Sequence, residues 1–149
     1  MASTLAIDIQ YASPAIEKNI KSIVSSITIK KWVKETTQHS GSLTLRFVNQ
    51  AEGKKLNAAF RKKDAATNVL TFPYELTKKT VAADIIFCFP VIQKEAREQG
   101  KTVKAHLAHL VVHGCLHAQG FDHEIEKEAK KMENREIALL KLLGFTNPY

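Results

Sequence analysis

Histidines recur at positions 106, 109, 113 and 117 of this 149-residue chain, and between Ala105 and Ala118 they are the only polar side chains apart from Cys115. A helix that is apolar nearly all round is a buried helix. At about 100° per residue the four imidazoles fall within an arc of roughly 80°, so they form one stripe on it. Buried polar groups need partners. A lone histidine in such a place is ordinarily a core residue bonded to a carbonyl or carboxylate, whereas four on one stripe are much harder to explain by packing.

Residues four apart on a helix have Cβ atoms about 6 Å apart, so His113 and His117 can reach one metal ion at the roughly 2.0–2.1 Å of a Zn–N bond. His109 and His117 cannot, because eight residues rise about 12 Å. Gly120 ends the helix just beyond His117, and the chain reversal can bring His123 back over the last turn. The expected metal ligands are therefore His113, His117 and His123, in the pattern H-x3-H-x5-H. Three neutral imidazoles leave a divalent ion its full charge and an open position, the stoichiometry of a catalytic zinc site. Such an ion lowers the pKa of bound water toward about 7 and polarises a phosphoryl or carbonyl oxygen. Imidazole ligands also suit other divalent transition metals. The same spacing occurs in zinc peptidases whose first histidine is followed by a glutamate base. Here that position is Gly114, which argues against peptidase chemistry. Asp122 and His109 are expected to orient a ligand imidazole.

The elements that must carry these residues read as follows. Leu5, Ile7 and Ile9 alternate as a half-buried strand, and Ser13 with Pro14 opens a helix carrying Ile16, Ile20, Ile23 and Ile27 that either continues or restarts toward Trp32. Leu43, Leu45 and Phe47 form a second strand, followed by a helix that ends near Arg61. The stretch 68–72 is expected as a strand stopping at Pro73, 74–80 as a loop, and 81–89 as a fourth strand. Pro90 opens a helix that Gly100 interrupts, the histidine helix runs to Gly120, and 124–143 is a charged terminal helix with Gly144 as its stop. Four strands among about five helices predict a single α+β domain over residues 1–149, with a mixed four-stranded sheet covered mainly on one face.

The composition agrees with a globular chain, at 44% hydrophobic and 25% charged residues. No apolar run is long enough for a membrane helix, and no basic leader precedes Asp8, so the expectation is a cytoplasmic protein without a membrane partner. Cys88 and Cys115 sit in apolar surroundings and are expected as buried thiols with no disulfide partner. The net charge is +7. Its densest cluster is Lys54, Lys55, Arg61, Lys62 and Lys63, which suits either phosphate binding or a solvated face.

The segment His113-Gly-Cys-Leu-His-Ala-Gln-Gly-Phe-Asp-His123 resembles the signature H-G-x-L-H-x-x-G-Y-D-H of the YbeY endoribonucleases. Leu56-Asn-Ala-Ala-Phe-Arg61, then Asp64 and Ala66-Thr-Asn-Val-Leu-Thr-Phe-Pro73, is similar to that family's L-N-x-x-F-R-x-x-D-x-x-T-D-V-L-S-F-P, and Ala83-Asp-Ile85 stands where Gly-Asp-Ile is usual. Asn68 replaces the family's Asp, Ala83 its Gly, Phe121 its Tyr and Ala66 a frequent Pro; no metal ligand is lost. The resemblance implies a zincin-like fold and a cytoplasmic endoribonuclease holding one zinc ion. It implies a role in small-subunit ribosomal RNA 3′-end maturation and ribosome quality control, with ribosomal RNA and the small ribosomal subunit as partners. It also marks Arg61 as the residue associated with activity, whose guanidinium fork suits a phosphate near the metal. Lys62 and Lys63 would hold the flanking RNA backbone. Single-stranded RNA is the expected substrate form, because its bases can splay and stack, with Phe72 or Tyr74 as possible surfaces. Two other readings remain: a non-catalytic, zinc-stabilised ribosome assembly factor, and a metal-dependent hydrolase of another substrate.

Overall fold

The computed structural model describes residues 4–61, 67–121 and 125–149, apart from the side chains of residues 60 and 61. Strands β1 (Leu5–Tyr11), β2 (Ser40–Val48), β3 (Val69–Leu76) and β4 (Thr80–Cys88) form one sheet in the order β1-β2-β4-β3. β1 pairs parallel to β2 and β2 parallel to β4, while β3 runs antiparallel to β4. The expected mixed α+β architecture is therefore present. Its helices are α1 (Pro14–Lys21), α2 (Ser26–Thr36), α3 (Gln50–Arg61), α4 (Phe89–Glu98), α5 (Val103–Ala118) and α6 (Glu126–Leu142).

Six helices among the described residues replace the expected five, because the isoleucine series does not belong to one helix. Ser25 Oγ accepts from the backbone N–H of Thr28 at 3.1 Å and caps a new start, so α2 begins afresh after α1. A second difference lies at Pro73. β3 continues through it to Leu76, with a register shift between Pro73 and Glu75. β3 is an edge strand, where a missing N–H costs little and a bulge absorbs the irregularity. The expected loop 74–80 shrinks to a tight hairpin in which the Thr77 N–H donates to Thr80 O at 2.9 Å.

Strand alternation builds the core. Leu43, Leu45 and Phe47 of β2 and Val81, Ala83, Ile85 and Phe87 of β4 are buried on one face against α2 and α5. Full burial of side chains such as Leu107 and Val111 from α5 contributes about 1.5–3 kcal/mol each. The opposite face carries a smaller cluster of Val48, Leu70, Ile86 and Cys88, with Leu56 of α3 packed on it. Gly114 sets how closely α5 approaches the sheet. A Cβ there would lie 2.8 Å from Ile85 Cγ2 and 3.4 Å from Val69 Cγ2.

Candidate functional site

α5 has sharp ends. Thr102 opens it by accepting from the Ala105 N–H at 3.1 Å. At the other end Gly120 takes φ +96°, its N–H donates to His117 O, and the Phe121 N–H donates to Leu116 O. This Schellman geometry turns the chain back at the level of His117, as the glycine predicts. His113 and His117 therefore occupy the last turns of the helix, with ring centroids 4.9 Å apart and planes at 74°.

Two carboxylates from neighbouring helices organise the stripe. Glu95 of α4 meets His106 Nε2 at 3.0 Å, and Glu136 of α6 meets both His109 Nε2 and His113 Nδ1 at 2.7 Å. His106 is thus a buried histidine that an acid engages at Nε2 alone; its buried Nδ1 has no hydrogen-bond partner among the described residues. Burial lowers its pKa and outweighs the opposing pull of Glu95. Burial alone would raise the Glu136 carboxyl. The hydrogen bonds from His109, His113 and Tyr149 outweigh it and hold that carboxyl at about 2, so Glu136 stays ionised. A carboxylate on Nδ1 of His113 favours the tautomer with its proton there and a lone pair on Nε2, the state a metal ligand requires. The pair therefore fits a divalent transition ion: two imidazoles at ligand spacing, one held in the ligating tautomer by a buried acid.

A cleft of about 320 Å³ opens beside the stripe, lined by Asn68, Glu95, Lys101, His106, His109, His113 and Tyr149 among others. Asn68 contributes an amide, donating from Nδ2 to Glu95 Oε1 at 3.1 Å. Pro148 and Tyr149 close one side, tethered where Lys101 Nζ donates to Pro148 O at 2.7 Å. The Tyr149 hydroxyl donates to Glu136 Oε2.

The described residues bring together His109, His113 and His117. Among them, no group of three or more His, Cys, Asp or Glu side chains is arranged to hold a metal ion. His123, Asp122, Lys62 and Lys63 lie outside the described residues, as does the side chain of Arg61, whose backbone closes α3. His109 stands edge-on to the ring of His113. Their centroids are 6.3 Å apart, and Glu136 also bridges the two rings. Phe72 and Tyr74 line a separate depression with Leu56, Asp84 and Ile86, on the sheet face away from α5. Phe72 packs on the small cluster there, and Tyr74 donates to Asp84 Oδ2 at 2.8 Å. Ala83 is a core residue.

Glu95, Glu136 and Tyr149 are residues that sequence reasoning missed. A signal for Glu136 existed: Met132, Leu139 and Leu140 mark the buried stripe of α6, and Glu136 stands in the same stripe. An acid on the buried face of an amphipathic helix needs a buried partner. Tyr149 carried no comparable signal, since its contact depends on how the chain after α6 returns to α5.

A family model described as endoribonuclease YbeY matches residues 6–144. The endoribonuclease YbeY of Polynucleobacter asymbioticus is 75% identical over 147 residues, covering 99% of this chain and 95% of that protein. The endoribonuclease YbeY of a Janthinobacterium species is 50% identical over 147 residues, covering 97% and 94%. Among solved structures, the solution structure of TM1509 from Thermotoga maritima superposes with a TM-score of 0.58 at 24% identity, covering 95% of this chain and 97% of that one. That likeness concerns the fold. The family match and the sequence relatives together span nearly the whole chain, and the chain belongs to the YbeY endoribonuclease family.

Proposed function

We propose that residues 1–149 act as one zinc-dependent endoribonuclease domain that prefers single-stranded RNA. We place it in the cytoplasm, maturing the 3′ end of small-subunit ribosomal RNA and serving ribosome quality control. The observation that carries this reading is the His113–His117 pair at the end of α5, with Glu136 holding His113 in the ligating tautomer, in a chain of this family.

His113, His117 and His123 would hold one zinc ion. A bound zinc ion supplies Lewis acidity toward a phosphate oxygen and acidifies a coordinated water. The chain's own residues do the rest. Glu136 keeps the His113 ring oriented and its Nδ1 protonated. Arg61, at the end of α3, presents a fixed fork of donors to the scissile phosphate and steadies the charge that grows there. Lys62 and Lys63 hold the flanking phosphates. Asp122 follows Gly120 by two residues and would bond a ligand imidazole. Position 114 leaves no room for a general base, since even a Cβ there would crowd Ile85, which weighs against a peptidase.

The test joins metal analysis of the purified protein to an RNA cleavage assay with and without chelator. One zinc per chain and chelator-sensitive cleavage are expected, with cleavage lost in His117→Ala and Arg61→Ala variants that still fold. If folded, RNA-binding wild type does not cleave, the protein is an assembly factor stabilised by its metal. A 2′,3′-cyclic phosphate product identifies the 2′-hydroxyl of the RNA as nucleophile; 5′-phosphate and 3′-hydroxyl ends assign that role to water.

A further inference from the structure

Glu136 is fully buried on the apolar stripe of α6. An ionised carboxylate is kept there only if its oxygens are well bonded. Oε1 receives His113 Nδ1 at 2.7 Å, whereas Oε2 receives both His109 Nε2 at 2.7 Å and the Tyr149 hydroxyl. The oxygen that orients His113 and the oxygen that Tyr149 grips belong to one rigid, planar group. Whatever fixes Oε2 therefore fixes the angle at which Oε1 meets the imidazole.

Tyr149 is brought to this point by contacts of its own. Phe145 packs edge-on against Trp32 with centroids 5.7 Å apart. Lys101 Nζ holds Pro148 O at 2.7 Å, and the Tyr149 ring stands edge-on to His109 at 5.4 Å. The segment from Phe145 to Tyr149 thus runs from α2 past Lys101 to the carboxylate.

We infer that Tyr149, acting through Glu136, is a positioning residue for His113. The segment carrying it couples the wall of the cleft to the geometry of the metal ligand. This rests on the reading of His113 as a ligand. A purely structural tyrosine would support the buried acid and the fold without affecting how the ion is held.

The experiment uses the full chain and Tyr149→Phe, which removes one oxygen from a residue that is 60% exposed. Zinc affinity is measured by competition with a chromophoric chelator, ligand geometry by the visible spectrum of the cobalt-loaded protein, and fold by the melting temperature of the metal-free form. Groups that hold a ligand imidazole contribute about 10–100-fold to metal affinity. Zinc binding about tenfold weaker, with a shifted cobalt band and a near-normal melting temperature, is expected. Wild-type affinity and spectrum in this variant would overturn the inference. Lys101→Ala, which releases Pro148 without touching the carboxylate, should change both readouts in the same direction and by less. Unaltered values there count against the inference too. His113→Ala separates the two levels. If wild type binds one zinc and His113→Ala does not, the ligand reading stands whatever Tyr149→Phe does. If both bind alike, that reading fails and this inference with it.

Discussion

Asn68 donates from Nδ2 to Glu95 Oε1 at 3.1 Å, and that same oxygen lies 3.0 Å from His106 Nε2, so one carboxylate ties the start of β3 to the first histidine of α5. The other end of the amide is also used, since Asn68 Oδ1 accepts from the Val69 N–H at 2.7 Å. The YbeY signature usually has Asp at this position. Here the residue facing Glu95 must donate, and an amide does so where a carboxylate cannot. Asn68→Asp would bring two carboxylates into contact, and one would keep its proton to a higher pH than in the unfolded chain. With the folded-state pKa raised, the folded form binds more protons, so the variant's stability is fullest at low pH and falls as pH rises through that value. Thermal melts should show a deficit of about 1–3 kcal/mol near pH 7.5 that narrows toward pH 5. An equal deficit at both values would mean that Asn68 and Glu95 do not interact in this way.

Gly114 has a different reason to be what it is. Alanine there would gain up to about 1 kcal/mol in helix propensity. Its Cβ would also press on the branched methyl of Ile85 at 2.8 Å, and Ile85 is itself fully buried. Overpacking of this kind costs about 1–3 kcal/mol. Gly114→Ala is therefore expected to be destabilised by about 1–2 kcal/mol in urea unfolding. A neutral or stabilised variant would show that α5 can move off the sheet, and that the steric bar to a base at this position is weak.

Much of this arrangement is legible in the chain because it depends on local periodicity. The spacing of His113 and His117 places them on adjacent turns of any helix, and Gly120 announces the stop, so that half of the site follows from residues within one element. Ser13 and Pro14 work the same way. The acids did not announce their partners, because Glu95 and Glu136 reach the stripe from other helices and their pairing depends on how α4 and α6 dock on α5. Pro73 misled for a related reason. Proline ends a central strand, and only the sheet order shows that β3 is at the edge. At His106 the stripe meets a carboxylate through Nε2, a pairing that no spacing within α5 announces.

The two cysteines give a test of the core. Cys88 and Cys115 are free and buried. Burial pushes the Cys115 thiol up to about 12, and it raises the Cys88 thiol as well. Thiolate is the reactive form, so both are protected by access and by ionisation. Neither should react with a disulfide reagent at pH 8 in the native protein, and both should react after guanidinium unfolding. Fast labelling of one thiol under native conditions would reveal local opening at β4 or at α5.

The basic surplus can be assigned by salt. Lys54 and Lys55 are exposed on α3, which leads into Arg61, Lys62 and Lys63. If that end of α3 follows an RNA backbone, each lysine that neutralises a phosphate releases counterions, and log K falls with log salt by about 0.7 per contact for a single strand. Lys62→Ala combined with Lys63→Ala should flatten the slope for a single-stranded oligonucleotide by about 1.4. The exposed lysines of α2 make the control, since Lys30→Ala with Lys34→Ala removes as much charge from a helix packed on the other side of the core. A flattened slope in the first pair alone places phosphates beside Arg61. Equal slopes in both pairs would mean that the +7 charge acts as a diffuse field and that the cluster after α3 is a solvated surface.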